Sequence, residues 1–119
     1  MPNTPVMRGS LFAAAEPPPD GERFETLARC RNVVVERILS SPRPETAEYR
    51  QAQDEWVGLL QGRATLEVDG RPLELVAGDW LLIPAGTPHR VVAASAEPHC
   101  IWLAVHVHAL DAPPLPQGD

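Results

Sequence analysis

One stretch carries the clearest chemical signal: Gly78-Asp79-Trp80-Leu81-Leu82-Ile83-Pro84-Ala85-Gly86-Thr87-Pro88-His89. The apolar run Trp80 to Ile83 has strand character and ends in a Pro-x-Gly-x-Pro turn. Gly86 supplies a position open to positive φ, and Pro84 and Pro88 stiffen the corner on either side. The turn delivers one imidazole, His89, to the start of a second strand, Arg90-Val91-Val92-Ala93. A rigid turn that aims a single histidine suits a small-molecule or metal site in a β-barrel. A tight β-corner with an incidental histidine would look the same.

The elements around this stretch are short and closely spaced. Asn32 to Leu39 holds Val33-Val34-Val35 and Ile38-Leu39 and reads as a strand. Glu48 to Gln53 is polar and extended, Glu55 to Gln61 is strand-like, and Gly62 breaks it. Alternation in Ala64-Thr65-Leu66-Glu67-Val68 buries Ala64, Leu66 and Val68. Asp69-Gly70 is a hairpin turn, and Arg71 to Val76 returns with Leu73 and Leu75 facing in. Cys100 to His108 is the longest apolar run. Glu22 to Arg29 places Phe24, Leu27 and Ala28 on one side and predicts a short amphipathic helix. Short strands with many turns and almost no helix indicate an all-β sandwich or barrel.

The chain of 119 residues divides into an N-terminal arm (1–20), expected to be partly disordered at Pro17-Pro18-Pro19, a barrel (21–110) and a Pro-rich, frayed tail (111–119). Leu11 and Phe12 are candidates to dock the arm. A net charge of −6 argues against nucleic-acid and anionic-membrane partners. No run approaches the roughly 20 apolar residues of a membrane span, and no signal peptide is apparent. Cys30 and Cys100 match no disulfide framework or zinc ribbon and are expected to be reduced and buried. The expected compartment is the cytoplasm.

The spacing Gly78, Pro84, Gly86, His89 resembles the second motif of the cupins, position for position, except that Ala93 stands where that motif usually ends in Asn. Glu55 and Gly62 match the second half of the cupin first motif. Its two histidine positions fall on Tyr49 and Gln51. The core motifs span 47–108, and Tyr49 to Val57, Ile83 to Arg90 and Trp102 to His106 look like a subgroup of small, single-domain bacterial RmlC-like cupins with no assigned reaction. The implied fold is the double-stranded β-helix, a jelly-roll-like barrel, here with a short arm and one short helix.

The resemblance implies metal ligands at Tyr49, Gln51, Glu55 and His89, of which Gln51, Glu55 and His89 form a three-point cap with open positions. Zn, Mn, Fe or Ni are the metals such a set would take. Residues 49, 51, 53 and 55 share one strand face by period two, so Tyr49 and Gln53 join the pocket. His106, on one face with Trp102, Ala104 and His108, would add a second imidazole if that face turns inward; otherwise it sits partly exposed at a strand end. Glu55 is the best candidate for a catalytic group. His99 is expected at the surface, Asp54 as a solvated or Arg-paired carboxylate, and Trp56, Trp80 and Trp102 in packing. Three functions follow: a metal-dependent oxygenase, isomerase or decarboxylase acting on a small polar metabolite, a non-catalytic ligand-binding or sensory barrel whose polar residues satisfy one another, or a scaffold or oligomerisation module. Cupins often dimerise through N-terminal segments, and Val33-Val34-Val35 and the Leu11-Phe12 arm are candidates for a homodimer contact.

Overall fold

The computed structural model describes residues 5–110; the first four residues and the tail 111–119 lie outside the described residues. Eight strands run in order: β1 (Glu22–Cys30), β2 (Val33–Ser40), β3 (Asp54–Gln61), β4 (Arg63–Val68), β5 (Arg71–Val76), β6 (Trp80–Ile83), β7 (His89–Ala94) and β8 (Cys100–Val107). They form two antiparallel sheets, β1-β2-β8-β3-β6 and β5-β4-β7, which face each other as a jelly-roll barrel. Ile38, Val57, Leu59, Leu66, Leu75, Ile83 and Trp102 are buried between them.

Among the described residues there is no helix, and the segment expected as one is β1. Its helical appearance has a physical origin. Glu22, Phe24 and Thr26 alternate as strand residues, pairing with Ser40, Ile38 and Glu36, and then a β-bulge inserts Leu27 before Ala28 pairs with Val35. The extra residue breaks the two-residue period and leaves Phe24, Leu27 and Ala28 at spacings that imitate a helix stripe.

Glycine is required at Gly62, where φ is +91° and a Cβ would stand 2.8 Å from Cys100 Sγ and 3.0 Å from Cys100 Cα. That position lets β3 turn directly into β4 against β8. Ala64 and Leu66 are buried as expected and Val68 packs against the core. Leu75 is buried too, but Leu73 is 37% exposed, because β5 is an edge strand and Leu73 lies near its hairpin end.

The arm crosses the outer face of the larger sheet and is held by a buried cation. Arg37 donates to the carbonyls of Leu11 (3.1 Å), Ala13 (2.6 Å) and Ala14 (3.1 Å), and to Glu25 (2.7 Å). Phe12, the expected anchor, is 56% exposed. The guanidinium supplies several donors in a fixed fork, which suits an irregular run of carbonyls. His99 is not a free surface residue, since its ring contacts the Ala15 carbonyl and its own carbonyl accepts from Gln61. Cys100 is fully buried, whereas Cys30, expected inside, is exposed at the end of β1; both are free thiols.

Candidate functional site

The two sheets enclose a cavity of about 430 Å³. Its apolar lining is built from Val34, Ile38, Val57, Leu66, Ile83 and Trp102. Polar side chains are interleaved with these, and Tyr49, Gln51, Gln53, Glu55, His89 and His106 all reach the cavity.

The turn after β6 sets the position of His89. Gly86 adopts φ +81° and its N–H donates to the Gln51 carbonyl at 2.7 Å. The Ala85 N–H donates to Asp54 Oδ1 at 2.8 Å, so Asp54 pins this turn to the start of β3 rather than pairing with an arginine. Tyr49 and His89 then exchange backbone hydrogen bonds of 2.8 and 2.9 Å as an isolated bridge. The segment before β3 is therefore mostly loop, with only Tyr49 paired, yet 49, 51, 53 and 55 still share the cavity.

His89 Nε2 stands 3.5 Å from Glu55 Oε1, and its Nδ1 stands 3.0 Å from the Thr87 carbonyl. Nδ1 thus faces an acceptor, while Nε2 lies between the Glu55 carboxylate and the Gln51 amide nitrogen, the latter at 3.4 Å. Burial lowers the His89 pKa, but the Glu55 contact and the Thr87 carbonyl outweigh it and the net shift is upward. Burial likewise pushes the Glu55 carboxyl up, and donation from His89 and Gln51 outweighs it, holding the group below the ordinary carboxylate range. Both shifts favour the charged forms of the pair.

His106 turns inward and is 8% exposed. It pairs across strands with Glu55 on one side and Val34 on the other. Its Nε2 lies 3.0 Å from Glu36 Oε1, and that contact raises its pKa against the opposing effect of burial. Gln53 Nε2 lies 3.2 Å from His106 Nδ1 and donates to Gln51 Oε1 at 3.0 Å; Gln51 Nε2 donates to Glu55 Oε1 at 2.6 Å. One chain of hydrogen bonds thus links both carboxylate–imidazole pairs. Tyr49 packs its ring 6.1 Å from His89 and 6.2 Å from Phe24, and burial, then Glu45 and Glu22, push its phenol up, so it is neutral.

Glu22, Arg29 and Glu36 also line the cavity and were missed by sequence reasoning. Glu36 had a usable signal: Val34, Glu36 and Ile38 alternate on one strand face, and a carboxylate between two apolar inward positions marks a polar pocket. Glu22 and Arg29 had none, because their segment reads as a helix. Glu22 is pushed up by burial, although Ser40 Oγ donates to it at 2.6 Å. Of the tryptophans, Trp102 lines the cavity and donates to Ser40 Oγ at 2.9 Å; Trp56 and Trp80 stack 6.1 Å apart on the outer face, where Trp80 is 60% exposed.

The metal that the resemblance implies does not fit the donors as arranged. Among the described residues no three His, Cys, Asp or Glu side chains converge on one point. Glu55 and His89 converge as a pair, but on each other. Gln51 presents its amide nitrogen to them, an orientation set by the Gln53 donor on its oxygen. A divalent transition ion takes three or four basic donors.

Comparison with known proteins places this architecture. Residues 40–106 match the model of the cupin domain family. A candidate mannose-6-phosphate isomerase from Ralstonia eutropha is 35% identical, with a TM-score of 0.79 over 87% of this chain and 100% of that one. A cupin superfamily protein from Desulfitobacterium hafniense has TM-score 0.71 and 21% identity, covering 91% of this chain and 97% of its own. A predicted oxalate decarboxylase from Thermotoga maritima has TM-score 0.63 and 16% identity, covering 74% and 81%. The search of curated proteins found no match. The chain belongs to the cupin family. No helix among the described residues is long and apolar enough to cross a membrane.

Proposed function

We propose that this cupin binds a small polar metabolite in its barrel and transfers protons on it, as an isomerase does. The observation that carries the reading is the Glu55–His89 pair, 3.5 Å apart, in a cavity of mixed polar and apolar lining. A carboxylate base beside an imidazolium acid suits enolisation. Glu55 would take a proton from a carbon next to a carbonyl while His89 protonates the carbonyl oxygen. Gln51 would hold the Glu55 oxygen in place. The Ralstonia relative, described as a candidate sugar-phosphate isomerase, supports the same class of reaction.

The test is deuterium wash-in from D2O at the carbon next to the carbonyl, with mannose 6-phosphate and fructose 6-phosphate as probes, on chelator-treated protein. Exchange that disappears in Glu55→Gln supports the reading. No exchange with either probe, while ligand still binds, favours a non-catalytic binding barrel. That second reading has its own support, since no buried side-chain polar atom among the described residues lacks a partner. Elemental analysis runs beside it. Near-stoichiometric Zn, Mn, Fe or Ni, lost in Glu55→Gln and His89→Gln, would place a metal on Gln51, Glu55 and His89 and replace the metal-free scheme.

A homodimer is part of the proposal, through side chains rather than strand edges. Val33, Val34 and Val35 lie in β2, whose backbone is paired on both sides. The support lies on the outer face, where Val35, Val105, Trp56 and Leu82 form one cross-strand row next to exposed Trp80. Light scattering on the wild type and Leu82→Asp checks it: a dimer that becomes a monomer supports the contact, and a monomeric wild type ends it. We place the protein in the cytoplasm, a reading supported by its two unbridged cysteines.

A further inference from the structure

The bulge in β1 decides which side chain reaches the cavity mouth. If the alternation of Phe24 and Thr26 continued, Ala28 and Cys30 would face inward. The inserted Leu27 shifts the phase, so Arg29 pairs with Val34 and shares its face. Val34 in turn pairs with His106, and His106 with Glu55. All four line the cavity, with Arg29 exposed at its rim and His108 also in the lining. A bulge that re-aims one cation into the lining of the pocket that holds a candidate acid–base pair is a placed feature.

The charges around it give the cavity a direction. Glu22, Glu36 and Glu55 occupy its interior, where an anion would be repelled. The other cavity arginine, Arg90, is engaged by Glu67 at 3.2 Å. Arg29 has no carboxylate within 4.0 Å among the described residues and keeps its guanidinium available. Three inter-strand steps separate Arg29 from Glu55, about 14 Å between backbones, and the arginine side chain spans part of that distance. The cavity, about 430 Å³, has room for a metabolite of single-sugar size.

We infer that Arg29 anchors an anionic group, a carboxylate or a phosphate, on the small molecule that fills the cavity, holding its carbonyl end towards Glu55 and His89. This rests on the reading of the cavity as a metabolite site. Arg29 is a specificity residue here, since the charge it recognises is remote from the reacting carbons.

The test is calorimetric binding to the full-length protein with three probes: glucose 6-phosphate, glucuronate and glucose. The anchor predicts that at least one anionic probe binds more tightly than glucose. Arg29→Ala should weaken that probe by about tenfold or more and leave glucose affinity unchanged, with partial recovery in Arg29→Lys. The two anionic arms separate phosphate from carboxylate. Anionic probes that bind no better than glucose, or that bind Arg29→Ala as tightly as wild type, overturn the anchor while leaving the cavity a metabolite site. Failure of all three probes to bind overturns both. Arg29 is exposed and outside the core, so the variant is expected to fold, which an unchanged Tm confirms.

Discussion

Glu36 on β2 holds His106 of the neighbouring strand β8 at 3.0 Å, on the inward face of the larger sheet. His106 in turn sits opposite Glu55 on β3. Three strands thus contribute one residue each to a buried polar cluster, and removing any member leaves the others with unmatched charge or hydrogen-bonding capacity.

The Glu36–His106 contact has a defined pH signature. Its effect raises the folded His106 pKa, so its stabilisation is fully present below the ordinary imidazole value of about 6.5 and fades as pH rises through the raised folded value. Glu36→Gln should be less stable than wild type by about 1–2 kcal/mol at pH 6, with the gap narrowing towards pH 9. Urea unfolding at both pH values checks this. A gap that widens with pH would contradict it.

Glu55 has the opposite sign. Its folded pKa lies below the ordinary carboxylate value of 4.5, so its stabilisation is present above that value and is lost as pH falls through the lowered one. Glu55→Gln should therefore lose its disadvantage against wild type in acid. The same substitution should reduce any proton-transfer rate by about 10²–10⁴-fold, read as deuterium exchange at neutral pH.

Gly62→Ala meets two penalties, a left-handed φ of +91° and a new Cβ 3.0 Å from the Cys100 backbone. It is expected to cost at least about 1–3 kcal/mol. Gly70→Ala provides the comparison, since φ is +78° there but nothing lies within 4 Å of an added Cβ. Thermal unfolding of the two variants separates close approach from backbone strain, and Gly62→Ala should melt well below Gly70→Ala.

Arg37→Ala should release the arm. It removes donors to three carbonyls and leaves Glu25 without its close partner. A loss of about 2–4 kcal/mol is expected from the buried, charge-assisted contacts, with new protease cleavage between Leu11 and Glu16 under conditions where wild type is intact. Unchanged cleavage in that stretch would mean the arm is held by other contacts.

Much of the site is legible in the chain because its signals are local. The Pro-x-Gly-x-Pro corner that delivers His89 depends on a few adjacent residues, and Asp69-Gly70 fixes the β4–β5 hairpin in the same way. A two-residue period placed Tyr49, Gln51, Gln53 and Glu55 together and all four reach the cavity, although residues 50–53 are loop rather than strand. Glu22 to Cys30 was not legible, since a bulged strand and a short amphipathic helix place apolar residues at nearly the same intervals. What separates them is pairing with β2, which no window of sequence contains.

Sequence alone therefore determined the all-β class and the cupin motifs, because alternation and turn chemistry act over a few residues. Tertiary structure decided the rest. It turned His106 inward opposite Glu55, brought Glu22 and Glu36 into the cavity, and aimed Arg29 at its rim. It also paired Glu55 with His89 at 3.5 Å, which shifts the pKa of each towards its charged form. Those outcomes depend on strand register and burial between residues far apart in the chain, and both arise only when the sheets close on each other.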